Sequence, residues 1–455
     1  MCAAALSALP LACGAQIANS EALVDLVSKP GGAGFGALII SERSPYRGEG
    51  QRPDVLPVYL YEGERFFLRS DRLGLKFAPA EEQALDLYLR RRVEGFPPDH
   101  VPPILQGLKT RNGGVDLGLT WRLRAGDSHA YAGVTQNVGH ASRGQELSLG
   151  AHTDWLMGRW TVRPAARVTW RSSRSNNFYF GVPAEGATPQ RPAYQPGAGT
   201  DASAGLYASY QLTEGWRLIG GVSATRYSSN VRASPIVEPG TQVGAVLGAT
   251  YSLGAEKMRW QEENSPTWVR LLYGSAAEDR CNIVMIMTLR CTAINRTTPT
   301  EVVGLSVGKT LLESFRGWPL DFVGYVGLIA HHDRPFQRNG AELDLFMKVF
   351  YRGFPWSDRI LTRFGYGWGL SIADPVPYSE VAEQTARGRL TSRVLNYNEP
   401  SIDVSLGDVI GNREWKQTFV GLSITHRSGM FGNSRLLGRV NGGSNYITLY
   451  MERPF

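Results

Sequence analysis

Apolar and polar residues alternate with a period of two in the carboxyl-terminal part of the chain. One such stretch places the following side chains on a shared face: Val420, Leu422, Ile424, His426 and Ser428. The next does the same for Asn445, Ile447, Leu449, Met451 and Phe455. Successive residues of a strand point to opposite faces, so this pattern predicts two β-strands. Two strands with an apolar face and a final aromatic residue are typical of the closing hairpin of a transmembrane β-barrel.

The same alternation recurs along most of the chain. It is clearest in the segments 115–123, 160–170, 206–212, 216–224, 243–253, 322–328, 343–351 and 364–372. Each segment is about as long as a tilted strand that crosses a bilayer. Backbone groups inside lipid must all be satisfied, and only a closed barrel leaves no strand edge. The sequence therefore predicts an all-β fold of antiparallel transmembrane β-barrel type.

Composition and charge fit this fold and exclude some alternatives. The chain has 455 residues with 52 glycines, 10% aromatic and 20% charged residues. It contains no run of about 18 apolar residues, which a transmembrane helix requires. The formal net charge is +7, but the densest basic run is only "LRRRV" at 89–93. We therefore predict no nucleic-acid partner. We expect outer-membrane lipid and lipopolysaccharide as partners, because the planar guanidinium of arginine pairs well with their phosphates.

Four cysteines divide into two pairs. Residues 1–15 contain a small, apolar stretch that ends in "CGA", which predicts the remnant of a signal peptide carrying Cys2 and Cys13. A lipoprotein signal that ends at Cys13 is the alternative. Cys281 and Cys291 remain, and in an oxidising compartment they are candidates for a disulfide. Two free buried thiols are the other possibility.

A charged stretch without alternation separates two β units. We interpret 255–266, "AEKMRWQEENSP", as a linker between a unit at 16–254 and a unit at 267–455. This linker favours two barrels over one large barrel. Polar insertions at 171–200 and 373–400 predict extracellular loops. The segment 79–94, "PAEEQALDLYLRRRVE", predicts a short helix.

The first unit contains a series of distinctive segments. They are, in order, "SPYRGEG" (44–50), "LPVYLYEGERFFLRSDRLGLKF" (56–77), "NNFYFGV" (176–182), "RPAYQPGAG" (191–199), "YASYQLTEGWRLIGG" (207–221) and "SPIV" (234–237). In these segments the unit resembles the MipA/OmpV family of MltA-interacting outer-membrane proteins. The resemblance implies an outer-membrane barrel of a Gram-negative bacterium that serves as an envelope scaffold or binds a periplasmic murein hydrolase or synthase. Such proteins end soon after the strand "GATYSL", whereas this chain continues.

The second unit carries two short motifs near its end. "ITHRSG" at 424–429 supplies a His-x-Ser motif, and "NGGSN" at 441–445 is a glycine-containing segment. Over its last thirty to forty residues the unit resembles the lipid A 3-O-deacylase (PagL) family, in which a segment like "NGGSN" carries the third catalytic residue. The resemblance implies a small barrel of about eight strands. The whole chain is thus expected to form two barrels in tandem, a larger amino-terminal and a smaller carboxyl-terminal one.

Candidate catalytic residues follow from this motif and from strand parity. His426 and Ser428 lie two apart on one face, within reach for a base and a nucleophile. Asn445 falls on the same outward face of the last strand, whereas Glu452 has the opposite parity and is excluded. The family has an acidic residue where this chain has Asn445, or Ser444. It also has an asparagine where this chain has Gly429, which leaves a backbone N–H as the oxyanion donor.

Three functions remain open at this point. The first is an outer-membrane scaffold, the second is a lipid A acyl-ester hydrolase in the smaller barrel, and the third is a passive pore. In the simplest alternative to catalysis, His426 and Ser428 are ordinary polar residues of the membrane interface.

Other candidate sites are weaker. The run His331, His332 and Asp333 fits a solvated turn better than a metal site, because no second cluster stands at ligand spacing. "GAGFG" at 32–36 precedes a strand, so we expect no phosphate-binding loop. We predict no metal and no cofactor.

Overall fold

The computed structural model describes residues 21–28, 32–80, 82–96, 101–111, 113–139, 141–255 and 265–455. The chain divides into two compact units, Met1–Ser252 and Leu253–Phe455. The predicted signal remnant and most of the predicted linker lie outside the described residues. Among the described residues, no helix combines the length and apolar character that crossing a membrane requires.

The first unit is a closed antiparallel barrel. Its strands are β1 (Gly32–Arg43), β2 (Gln51–Glu62), β3 (Phe66–Arg69), β4 (Arg72–Ala80), β5 (Gln83–Arg91), β6 (Val115–Ala125), β7 (Ser128–Asn137), β8 (Gln145–Thr153), β9 (Trp155–Met157), β10 (Trp160–Arg171), β11 (Gly199–Gln211), β12 (Trp216–Arg226) and β13 (Thr241–Ser252). The sheet closes through the pairing of β10 with β11, and β1 pairs with β13. The short β9 pairs with β10 beside β8, so the ring has twelve strands.

The second unit is a smaller closed barrel of eight antiparallel strands. They are β14 (Thr267–Ala276), β15 (Glu301–Leu312), β16 (Leu320–His332), β17 (Gly340–Tyr351), β18 (Thr362–Asp374), β19 (Val394–Ser405), β20 (Phe419–Ser428) and β21 (Asn445–Pro454). The last strand pairs with the first, β14, and closes the ring. This confirms the predicted tandem of a larger and a smaller barrel.

Among the described residues, six α-helices lie between or before the strands. They are α1 (Glu21–Ser28), α2 (Ser173–Phe180), α3 (Ser229–Arg232), α4 (Ile283–Met287), α5 (Tyr378–Ala386) and α6 (Leu406–Ile410). The predicted helix at 79–94 is wrong, because this segment holds the end of β4 and all of β5. In β5 the leucines at 85, 87 and 89 share one face, and Asp86 and Arg90 on the opposite face point inward. These two side chains form ion pairs with Arg69 and Asp116, so the charges that suggested a helix surface line the barrel interior.

The predicted loop at 373–400 is wrong in its last part, because residues 394–400 belong to β19. This strand is rich in asparagine and carries Glu399, which made it look like a surface loop. Glu399 instead points into the barrel, where its carboxylate pairs with Arg270 and Lys348. "GAGFG" also lies within a strand, β1.

Connections differ in length at the two ends of each barrel. At one end of the smaller barrel the strands are joined by 313–319, 352–361 and 406–418, and at the other by 277–300, 333–339, 375–393 and 429–444. In the larger barrel, connections such as 126–127 and 158–159 contrast with 92–114 and 172–198. In each barrel we call the end with the first set of connections the turn end, and the opposite end the loop end. Outer-membrane barrels have short periplasmic turns and longer extracellular loops.

A packed apolar cap lies at the loop end of the larger barrel. It joins four connections in one buried cluster that includes Tyr46, Phe96, Tyr179, Phe180, Val231 and Val237. The Tyr46 hydroxyl donates to the Tyr179 carbonyl at 2.9 Å. Three of the segments that carried the family resemblance, at 44–50, 176–182 and 234–237, thus build this cap.

The helix α1 lies inside the larger barrel near its turn end. Inward-pointing arginines hold it: Arg122 binds Asp25 at 2.5 Å and Glu21 at 2.7 Å. Arg163 donates to the Ala22 carbonyl at 2.7 Å. The apolar face of α1 is buried, with Leu26 at 0% exposure. Much of the barrel interior near this end is therefore filled by the chain itself.

Candidate functional site

The candidate histidine lies on the outer wall of the smaller barrel, at its loop end. In β20 the outward side chains include Leu422, which is exposed, whereas the inward Arg427 is buried. His426 has the parity of Leu422. In the sheet register it stands opposite Asn445 of β21 on one side and opposite Asn398 of β19 on the other. His426 and Asn445 thus share one patch of the outer wall.

The imidazole of His426 is held by the backbone. Its Nδ1 lies 3.1 Å from the Ser444 carbonyl oxygen. A carbonyl only accepts hydrogen bonds, so Nδ1 carries the proton and Nε2 is the basic nitrogen. A backbone carbonyl therefore occupies the orienting position where the resemblance suggested an acidic side chain.

Ser428 follows two residues later on the same face. Its hydroxyl oxygen accepts a hydrogen bond from the Met430 N–H at 3.3 Å. Within the described residues, no hydrogen bond joins this hydroxyl to the His426 ring. Nucleophile–base hydrogen bonds are often long or poorly aligned before a substrate binds.

Asn445 connects the patch to a disulfide-closed loop. Its Nδ2 donates to the Cys281 carbonyl at 3.2 Å. A disulfide joins Cys281 to Cys291. Ile286 of α4 packs with Ile424 in a buried cluster that covers part of the outer wall beside His426. The loop 277–300 therefore forms one border of the candidate site.

Glu452 points into the barrel, as its parity predicted. It accepts hydrogen bonds from the Tyr325 hydroxyl at 2.9 Å and from Arg363 at 2.8 Å. It is buried in the interior network and lies on the opposite face of β21 from Asn445.

Two asparagines of β19 also belong to the patch, and sequence reasoning missed both. Asn396 stands opposite Ser428 in the register, and Asn398 stands opposite His426. The side-chain Oδ1 of Asn398 accepts a hydrogen bond from the outward Tyr366 hydroxyl at 3.0 Å. The alternation in "NYNEP" is the signal that places them on one face, whereas the polar composition of 373–400 predicts a loop.

Gly429 does not supply the oxyanion donor that the sequence suggested. Its N–H donates to the Gly442 carbonyl at 3.1 Å and is therefore occupied. A Cβ at this position would lie 1.8 Å from the Val440 carbonyl oxygen. The asparagine of the resembled family thus has no room here, because two loop backbones approach closely.

The segment 331–333 is not a solvated turn, since His331 and Asp333 are both buried. The His331 Nε2 lies 2.8 Å from Glu342, and Asp333 accepts from Gln337 at 2.7 Å. In the described part of the chain, the one cluster with metal-ligand spacing is Glu278, Cys281 and Cys291. Its sulfurs are bonded to each other and are not available as thiolate ligands.

Comparison with known proteins bears on the larger barrel. Residues 35–253 match the family model described as MltA-interacting protein MipA. The match ends at residue 253 and does not extend into the smaller barrel. Solved structures align over most of the chain but with low TM-scores, such as 0.25 for a copper transporter, OprC, at 10% identity, covering 93% of this chain and 80% of that chain.

Curated relatives cover the same region. Outer membrane protein Omp26La of Vibrio anguillarum is 30% identical over 31% of this chain and 56% of its own length. Outer membrane protein OmpV of Vibrio cholerae is 27% identical over 41% of this chain and 74% of its own length. The MltA-interacting protein of Escherichia coli strain K12 is 25% identical over 53% of this chain and 97% of its own length. This chain thus spans about half of the first relative and most of the other two.

The matched region, the two closed barrels and the relatives' names agree with each other. Residues 35–253 form a MipA-family domain, and the chain is an outer-membrane β-barrel protein of a Gram-negative bacterium.

Proposed function

We propose that the larger barrel is an envelope scaffold that binds a periplasmic murein hydrolase or synthase. The observation that carries this proposal is the match of residues 35–253 to a family described as MltA-interacting. The turn end of the barrel faces the periplasm under the usual orientation of outer-membrane barrels. A soluble periplasmic partner therefore meets the turns around Asp127 and Arg159, which are exposed.

Site-specific photo-crosslinking in cells tests the scaffold. A photoreactive residue replaces Asp127 or Arg159 at the turn end, and Glu185 at the loop end is the matched exposed control. We expect a murein enzyme to be crosslinked from the two turn positions and not from Glu185. Equal capture from both ends, or no murein enzyme from either turn, would contradict the proposal.

A second proposal concerns the smaller barrel: it hydrolyses an acyl ester of lipopolysaccharide. The supporting observation is that His426, Ser428, Asn396 and Asn445 share one outward patch near the loop end. Under the usual orientation this patch faces the outer leaflet, from which a lipid ester reaches it laterally. Polar residues on a lipid-facing wall cost free energy, which favours a functional reason for them.

The residues of the patch fit the roles of an ester hydrolase. Nε2 of His426 removes the proton of the Ser428 hydroxyl, and the Oγ attacks the ester carbonyl. The amide of Asn396, opposite Ser428, stabilises the negative charge on the carbonyl oxygen. His426 returns the proton to the leaving alcohol, and water then releases the fatty acid by the same steps. The Ser444 carbonyl keeps the ring in the required tautomer.

Mass spectrometry of lipid A from expressing cells tests this activity. We expect the wild-type chain to remove an acyl chain and Ser428→Ala to leave the acyl pattern intact. Ser275→Ala is the matched control, since Ser275 pairs in register with Ile447 of β21, an outward neighbour of the site. An unchanged lipid A pattern with the folded wild type would contradict the proposal, as would full activity of Ser428→Ala.

The third function, a passive pore, has less support. The cap and the α1 helix occupy both ends of the larger barrel, and Arg270, Glu399 and Lys348 meet inside the smaller one. Steady conductance of the wild-type chain in planar bilayers would restore this possibility.

A further inference from the structure

Two arginines meet at one cavity on the larger barrel. Arg143 lies in the connection between β7 and β8, and Arg174 lies in the first turn of α2. Both line a cavity of about 730 Å³ at the loop end. Both side chains are exposed, and within the described ranges neither forms an ion pair with an acidic residue. Their positive charges are therefore available to an anion.

Neighbouring residues hold Arg143 at this place. The Gln136 amide donates to the Arg143 carbonyl at 3.1 Å, and the Arg143 N–H donates to Asn137 Oδ1 at 3.4 Å. Arg143 has a φ of 51°, in the left-handed region that non-glycine residues rarely adopt. At Gly144 a Cβ would lie 2.5 Å from the Ser175 N, so this connection packs tightly against α2. The contacts thus fix the backbone that carries Arg143 beside α2.

The wall below the cavity is apolar and faces lipid. In the register, Leu147 pairs with Trp170 and Leu149 pairs with Val168, and all four side chains are exposed on the outer wall. Trp170 also lines the cavity itself. A row of apolar side chains therefore leads from the middle of the wall to a basic cavity with a tryptophan at its edge. Tryptophan is enriched at the level of lipid headgroups.

We propose that this cavity binds the phosphate group of a phosphorylated lipid of the outer leaflet. Arg143 and Arg174 contact the phosphate, because a guanidinium matches phosphate oxygens in geometry and charge. The acyl chains of the lipid lie on the wall formed by Leu147, Leu149, Val168 and Trp170. The site lies on the larger barrel and depends on neither proposed function.

Native mass spectrometry of the full chain in detergent tests the site, with bisphosphorylated lipid A as the probe. We expect Arg143→Gln/Arg174→Gln to weaken lipid binding about tenfold or more, since charge-assisted hydrogen bonds to phosphate are the strong ones. The matched control is Arg124→Gln/Arg159→Gln, which removes two exposed arginines at the turn end. It should bind like wild type. Equal weakening in both variants would overturn the proposal, because it would indicate non-specific attraction.

Two further measurements keep the result interpretable. Wild-type chain should bind dephosphorylated lipid A much more weakly, and equal binding would overturn a phosphate site. Inorganic phosphate at millimolar concentration should not displace the lipid; full displacement would assign the cavity to free phosphate instead. If the glutamine variant does not migrate as a folded barrel, Arg143→Lys/Arg174→Lys replaces it. We expect that variant to bind bisphosphorylated lipid A more tightly than the wild-type chain binds dephosphorylated lipid A, and equally weak binding would overturn the site.

Discussion

Arg270 and Glu399 form a fully buried ion pair inside the smaller barrel. Nη1 of Arg270 donates to Glu399 Oε2 at 2.8 Å, and both side chains have 0% exposure. Lys348 also donates to Glu399 at 3.0 Å. One carboxylate of β19 thus joins β14 and β17 across the barrel interior.

Removing this carboxylate should destabilise the smaller barrel. Glu399→Gln leaves Arg270 and Lys348 buried without their partner, which typically costs about 3–5 kcal/mol. Arg338→Gln is the control, because its pair with Asp374 is exposed and is worth about 0–1 kcal/mol. Urea unfolding in detergent, followed by the gel shift of the folded barrel, measures both. Equal urea midpoints for the two variants would show that the buried Arg270–Glu399 pair does not stabilise the smaller barrel more than the exposed pair does.

The α1 helix should leave the larger barrel when its acidic residues are neutralised. Glu21→Gln/Asp25→Asn removes buried partners of Arg72 and Arg122, again at a cost of about 3–5 kcal/mol. Leu26→Cys reports the change, because Leu26 is fully buried and a released helix exposes it to a maleimide reagent. We expect faster labelling in the neutralised background.

The control for α1 is Glu64→Gln/Asp127→Asn, which removes two exposed acidic residues from turns at the same end. Labelling of Leu26→Cys in this background should stay as slow as in the otherwise wild-type chain. Rapid labelling in every background would mean that α1 is not held in the barrel.

Loss of the disulfide should loosen the border of the candidate site. A disulfide typically stabilises the folded state by about 2–4 kcal/mol. The connection 277–300 should therefore open more often in the variant Cys281→Ser/Cys291→Ser. Trypsin should then cut faster at Arg280, which is 74% exposed. Cleavage at Arg338, in another loop of the same barrel, serves as the internal reference and should not change. An unchanged rate at Arg280 would indicate that α4 packing alone holds the loop.

Asn396 should act on rate more than on substrate binding if the smaller barrel is an ester hydrolase. Removing one oxyanion donor typically lowers kcat about 10²–10³-fold, so Asn396→Ala should do so with little change in KM. Asn398→Ala is the comparison, since Asn398 stands opposite His426 rather than Ser428. Steady-state kinetics on a lipid ester in detergent measures both. A fall in kcat that is equal for the two variants would remove the oxyanion role from Asn396.

The sequence predicts which side chains of a strand face outward, because the alternation of faces depends only on neighbouring residues of one strand. The alternation around His426 placed its side chain outward and that of Glu452 inward, and both lie there. The charged linker favoured two barrels, and the resemblance of the second unit implied the eight strands of the smaller one. Parity failed where inward charges dominated: β5 resembled a helix and β19 a loop, because their acidic residues pair with partners far away in sequence.

The sequence by itself determined the β-barrel class, the outward faces of the strands and the family of residues 35–253. These features depend on periodicity and on motifs that a single chain segment carries. Only the tertiary structure decided which residues meet: Asn396 opposite Ser428, the Cys281 carbonyl on Asn445, and α1 inside the larger barrel. Register between strands and the course of long loops depend on contacts between distant segments, and no local pattern encodes them.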